Sequence, residues 1–238
     1  MISFLIRLVK IICYLPFIIA GYIKDRRSDN GIHLYGIYGF FGLPGRGKTM
    51  AMCYKLKELR RVYGNDIYIT TNFNFSDQDF PFTTWKQLLE NYDKPLVVAW
   101  DEIQNEFNSR DFKNFPIPLM TQLTQVRKGN GIQILYTAQR WHFVDKNFRS
   151  LSFGCYDCST ILGRYTTAKL YDVDDYEQRC QEVNVMKKFK IHAKDWIAFF
   201  QTEELRGCYD SFKMLETAKS KEYMSREESI NSTGDIFS

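Results

Sequence analysis

Hydrophobic and polar positions along this chain fall into two regimes, with the change near residue 28. Before it, residues 2–23 carry only Arg7 and Lys10 as charges; after it, short apolar runs alternate with stretches of helical period. Such alternation predicts an α/β fold with a parallel sheet and covering helices, because a short continuous apolar run suits a strand buried on both faces. The expected strands lie at 33–41, 67–71, 95–100, 131–138 and 151–160, with further strands at 165–173 and 183–190. The expected helices lie at 48–62, 85–92 and 118–127, the first with Met50, Met52, Leu56 and Leu59 as its apolar positions. From residue 218 the chain is polar, rich in Ser, Glu and Lys, and reads as a mobile tail. Three parts are therefore expected: a membrane-associated segment at 1–28, one α/β domain at 29–217, and a disordered tail at 218–238.

The first part admits several readings. A helix over residues 2–23 would cover roughly 30 Å, about one hydrocarbon core, so it could span. The uninterrupted apolar stretch at 11–23 is short for a span and contains Pro16, while Arg7, Lys10, Tyr14, Gly21 and Lys24 fall roughly along one helical face. That pattern also suits a helix lying in the headgroup region with its cations toward phosphate, or one that packs on protein. Lys24, Arg26 and Arg27 after the apolar stretch agree with a cytoplasmic body.

Composition sets wider bounds. The 238 residues suit one domain with appendages, and 45% hydrophobic with 25% charged residues excludes wholesale disorder. The 19 Phe and 15 Tyr are rigid groups better suited to core packing than to base stacking. A net charge of +4 permits a polyanionic partner without requiring one. The six cysteines have no regular spacing and read as reduced, buried thiols. Cys155 and Cys158 have the spacing of half a zinc site that Cys180 and Cys208 could complete, but a structural site usually presents two tight pairs.

Candidate chemistry is concentrated at three strand ends. The segment Gly42-Leu43-Pro44-Gly45-Arg46-Gly47-Lys48-Thr49 matches G-x-x-x-x-G-K-[ST] in full, with an apolar strand before it and a helix after it. Glycines let the backbone curl so that successive N–H groups face a phosphate; Lys48 reaches the β and γ oxygens, and the Thr49 hydroxyl ligates Mg²⁺. Gly42 to Thr49, with Met50 on the first helical turn, form the expected ATP site. The apolar run at 96–100 then delivers Asp101 and Glu102 at its C-terminal end, where ligands sit in open α/β sheets. Asp101 would support the Mg²⁺ shell, and Glu102 would polarise the attacking water as general base. Gln139 ends the run at 132–138; if that strand lies between the other two, its amide can touch the γ-phosphate, and otherwise it is a capping group.

A series of short segments surrounds these motifs: Thr71-Asn72, Asp101-Glu102-Ile103-Gln104, residues 125–131 (QVRKGNG), Thr137-Ala138-Gln139, Phe148-Arg149 and Cys208-Tyr209-Asp210-Ser211. In this order they resemble the zonula occludens toxin family, which is similar to the assembly ATPases of filamentous bacteriophages and to the FtsK/HerA group of DNA-pumping ATPases. The resemblance covers roughly residues 37–211. It implies a P-loop NTPase with an additional-strand sheet of order 5-1-4-3-2, small C-terminal β additions, and ATP with Mg²⁺ as cofactors. It further implies a homo-oligomer such as a hexameric ring, DNA bound without sequence preference, attachment to the host inner membrane with the ATPase domain facing the cytoplasm, and contacts with phage assembly or coat proteins. Family members resembling this chain usually carry the membrane helix after the ATPase domain, whereas here the apolar segment comes first.

Charge placement changes the picture once more. Residues 105–149 hold seven cations, Arg110, Lys113, Arg127, Lys128, Arg140, Lys146 and Arg149, against three carboxylates, an excess equal to that of the whole chain. A cationic band there could touch DNA phosphate, or put Arg127 or Arg149 into a neighbouring subunit's site; the alternative is a solvated basic surface.

Overall fold

The computed structural model describes residues 14–20, 31–107, 115–181 and 192–209. The chain divides into two compact units, 1–33 and 34–238. In the first, residues 14–20 are helical, with Tyr14, Leu15, Phe17, Ile18 and Ile19 exposed. Among the described residues no helix is long and apolar enough to cross a membrane. The rest of the expected membrane segment, the expected strand at 183–190 and the expected tail all lie outside the described residues.

The second unit is built on an eight-stranded sheet of order β3-β2-β4-β5-β1-β6-β7-β8 among the described residues. Its strands are β1 (Gly36–Phe41), β2 (Tyr68–Thr71), β3 (Phe80–Pro81), β4 (Leu96–Trp100), β5 (Ile132–Ala138), β6 (Gly154–Ile161), β7 (Tyr165–Tyr171) and β8 (Asp195–Phe200). β3 through β6 in that spatial order pair in parallel, and β7 and β8 add on as antiparallel strands. The five strands expected from the sequence stand in the order 5-1-4-3-2, with the C-terminal β additions outside the fifth. Burial explains the arrangement: every residue of β4 and β5 is buried, as two-sided coverage of a central strand demands, and no polar face is left to expose.

Helices cover both faces. On one, α1 (Lys48–Tyr63) turns Met50, Met52, Cys53, Leu56 and Leu59 inward, and Tyr54 stacks on Phe199 of β8 at 4.4 Å. Gly64 ends this helix at φ 53°. On the other face lie α2 (Ile117–Thr124), α3 (Lys146–Ser150) and α4 (Val173–Gln181). The core there is aromatic. Phe41 meets Trp141 edge to face at 5.2 Å, and Tyr136 meets Phe148 in the same way at 5.2 Å. The expected helix at 85–92 is a shorter 3₁₀ turn, Trp85–Leu89, opened by a capping box between Thr84 and Gln87. The last described helix is α5 (Glu203–Gly207), capped by Thr202.

Candidate functional site

Register places the chemistry. β5 lies between β1 and β4, with Phe41 opposite Ala138 and Trp100 opposite Tyr136. The residues that follow these strands, the glycine loop, Asp101-Glu102 and Gln139, therefore emerge side by side at one edge of the sheet.

The loop itself is left-handed at three glycines, with φ of 151° at Gly42, 77° at Gly45 and 77° at Gly47. It closes on Arg46 N–H donating to Leu43 O at 3.1 Å and enters α1 through Ala51 N–H donating to Gly47 O at 2.8 Å. No side chain caps the helix and its first turn carries no acidic residue, so the terminal N–H groups stay available to an anion. A Cβ at Gly42 would lie 3.1 Å from Cys158 O, which is why the loop needs glycine where β6 runs beside it. Lys48 is buried at the start of α1. Arg46 is exposed, and its guanidinium donates to Ser159 Oγ at 3.3 Å.

The two carboxylates are held in different ways. Asp101 is buried, and burial raises its pKa, while hydroxyl hydrogen bonds from Thr137 and Thr49 pull it back down. Thr49 Oγ1 donates to Asp101 Oδ1 at 3.0 Å, so the two oxygens expected to serve Mg²⁺ already meet. Hard oxygen donors beside a phosphate-binding loop fit Mg²⁺, which binds through one or two protein oxygens plus substrate phosphates. Asn72, at the end of β2, clamps the Asp101 backbone by accepting its N–H at 2.8 Å and donating to its carbonyl at 3.1 Å. Glu102 sits at φ 51°, a left-handed conformation rare outside glycine, stabilised by its N–H donating to Thr137 Oγ1 at 2.9 Å. Gln139 Nε2 lies 3.5 Å from Glu102 Oε1, so the amide stands beside the candidate base.

Gly42 to Met50, Asp101, Glu102 and Gln139 are thus brought together. The two arginines are not. Arg127 lies in the turn before β5, at the sheet edge opposite the loop, with its guanidinium 5.3 Å from the Tyr35 ring centre. Arg149 is occupied within its own chain: it pairs with Glu177 at 3.0 Å, donates to Val144 O at 3.1 Å and covers the Trp141 ring. The cationic band is divided too. Arg127 and Lys128 sit at one sheet edge, Arg140 follows β5 at the other, and Lys146 is on the crossover to β6, because the chain crosses the whole sheet between residues 128 and 140. Arg110 and Lys113 lie outside the described residues. Cys155 and Cys158, three apart on β6, point to opposite faces of the strand, so their spacing does not make half a metal site; both are buried, and burial pushes both thiols up.

Strand order, left-handed glycine loop, buried Lys48 and the Thr49–Asp101 contact together decide the fold. It is the fold of a P-loop nucleoside triphosphatase. No protein-family model and no curated protein matches the chain. Among solved structures it is similar to the N-terminal domain of zonular occludens toxin from Neisseria meningitidis, at 19% identity over 74% of this chain and 100% of that one, TM-score 0.46. It is similar to the genome packaging NTPase B204 of Sulfolobus turreted icosahedral virus 2 in complex with ATPγS, at 10% identity over 58% and 93% of the two chains, TM-score 0.43. A third similar structure is the flagellar accessory protein FlaH from Methanocaldococcus jannaschii, at 15% identity over 61% and 82%, TM-score 0.41.

Proposed function

We propose that this P-loop protein hydrolyses ATP with Mg²⁺ and uses the energy as a homo-oligomeric motor that drives DNA during phage assembly at a host membrane. The observation that carries the reading is the convergence of Lys48, Thr49, Asp101, Glu102 and Gln139 at one sheet edge. In this arrangement the loop amides and Lys48 hold the β- and γ-phosphates, and Gln139 aligns the attacking water against Glu102, which accepts its proton. Mg²⁺, held by Thr49 with Asp101 behind it, would neutralise charge on the β and γ oxygens. Site geometry supports the hydrolytic half of the reading. The DNA, the ring and the membrane come from the sequence resemblance, with the apolar segment at 1–28 as the attachment.

One observation favours a second reading, a P-loop ATPase that energises assembly of a membrane or export complex without gripping DNA. The described cations of residues 105–149 do not form one band, and Arg149 is paired with Glu177.

The hydrolytic half is tested by paired variants. Lys48→Ala is expected to abolish binding of a fluorescent ATP analogue, because the buried cation facing the phosphates is lost. Glu102→Gln is expected to bind within about threefold of wild type while hydrolysis falls by a factor on the order of 100 or more, as loss of a general base predicts. Equal loss of binding in both variants would remove Glu102 from the base role.

A further inference from the structure

The phosphate loop rests on a polar relay that reaches it from the C-terminal strands. Gly47, immediately before Lys48, holds φ at 77°, and a Cβ there would lie 2.4 Å from Thr160 Oγ1 and 2.9 Å from Thr166 Oγ1. Two hydroxyls therefore fill the space directly behind the loop. Thr160 of β6 and Thr166 of β7 are cross-strand partners with their oxygens 2.8 Å apart. Gln201, next after β8, donates from Nε2 to Thr166 Oγ1 at 2.7 Å. An amide N–H can only donate, so Thr166 accepts from Gln201 and its own hydroxyl hydrogen is available to Thr160.

The far end of the relay is also fixed. Gln201 N–H donates to Arg164 O at 2.7 Å, and the Arg164 guanidinium reaches Gln201 O and Glu203. Thr202 caps α5, whose Glu204 pairs with Lys57 of α1 at 3.1 Å. On the same sheet face the neighbouring positions are Cys158, Ala168 and Phe199, all buried and apolar. Thr166 is fully buried and Gln201 nearly so, where side chains of the same size without polar atoms would pack at lower desolvation cost. Their placement against Gly47 gives the polar groups a purpose that packing does not.

We propose that Thr160, Thr166 and Gln201 are positioning residues for the phosphate loop, holding Gly47 in the left-handed conformation from which Lys48 and the first helical N–H groups face the nucleotide. This rests on the loop being the ATP site. Its consequence is that ATP affinity depends on β8 and the chain after it, some 150 residues beyond the loop in sequence. Because the loop holds phosphates alike in ground and transition states, loosening it raises KM and leaves kcat in place.

The test is nucleotide titration and steady-state ATPase on the full chain carrying Thr166→Val, Gln201→Leu or Thr166→Ser, with thermal melting alongside. Thr166→Val and Gln201→Leu should each raise KM and the ATP dissociation constant by roughly 5- to 20-fold with kcat within about twofold, and Thr166→Ser should restore affinity. Lowered melting temperatures with unchanged KM in both variants would make the relay a packing feature and overturn the proposal. A wild-type chain that binds no ATP would sink the site assignment and this inference with it, whereas wild-type binding with unaltered variants sinks the inference alone.

Discussion

Thr137 on β5 donates its hydroxyl hydrogen to Asp101 Oδ1 at the end of β4, and Thr137 Oγ1 in turn accepts the Glu102 N–H at 2.9 Å. One side chain thereby sets both the carboxylate of the metal position and the backbone of the candidate base. It can do so because Trp100 pairs with Tyr136, which leaves Asp101 beside Thr137 as the strands end. Thr137→Val keeps the shape and removes both bonds. ATPase assays should show kcat falling about 10- to 100-fold through misplacement of Glu102, and melting should show destabilisation of about 1–3 kcal/mol from the buried Glu102 N–H and Asp101 left short of partners.

Asp101 offers a prediction whose sign can be worked out. Its folded pKa is raised by burial, so the folded state holds the proton more tightly than the unfolded chain. The associated stability is present below the unfolded value and is lost as pH rises through the folded one, leaving a net cost at neutral pH. Asp101→Asn removes that charge and keeps an oxygen for the Thr49 and Thr137 donors. Without nucleotide the variant should melt higher than wild type, while Mg²⁺-dependent ATP hydrolysis is lost. A lower melting temperature would show that the ionised carboxylate stabilises the fold.

The two arginines separate on hybrid complementation. Arg149, paired with Glu177 and laid over Trp141, should on change to Ala destabilise the fold by about 1–3 kcal/mol without any recovery in mixed oligomers. Arg127 is exposed at the opposite sheet edge, where only another subunit's site could use it. Mixing Arg127→Ala with Lys48→Ala protein should then restore some ATPase activity, and absence of recovery would remove Arg127 as the trans residue.

The nucleotide edge was legible in the sequence because the chemistry follows each apolar run without a gap: Phe41 into the loop, Trp100 into Asp101, Ala138 into Gln139. The strand order followed from the resemblance. What the sequence could not show is register, so Thr137 and Asn72 appeared only as members of a motif series and not as the groups that fix Asp101 and Glu102. α4 went unread because Tyr176 is its one buried residue, which leaves no apolar period to detect. β8 was missed because Trp196 and Phe200 are exposed among its apolar residues and blur the alternation. Counting charge over residues 105–149 does not say where the charges lie, since β5 carries that stretch from one sheet edge to the other.

The motor reading is tested most directly by the ATPase rate of the purified protein with no DNA, with single-stranded DNA and with duplex DNA of unrelated sequences, across a salt series. Phosphate contacts from exposed cations such as Arg140 and Lys128 would act through counterion release, blind to sequence. The account predicts stimulation at low salt that is independent of sequence and falls steeply as salt rises, with Arg140→Ala flattening the salt slope by roughly one contact. Equal rates with and without either form of DNA at low salt would contradict it and leave the ATPase to the assembly of a membrane complex.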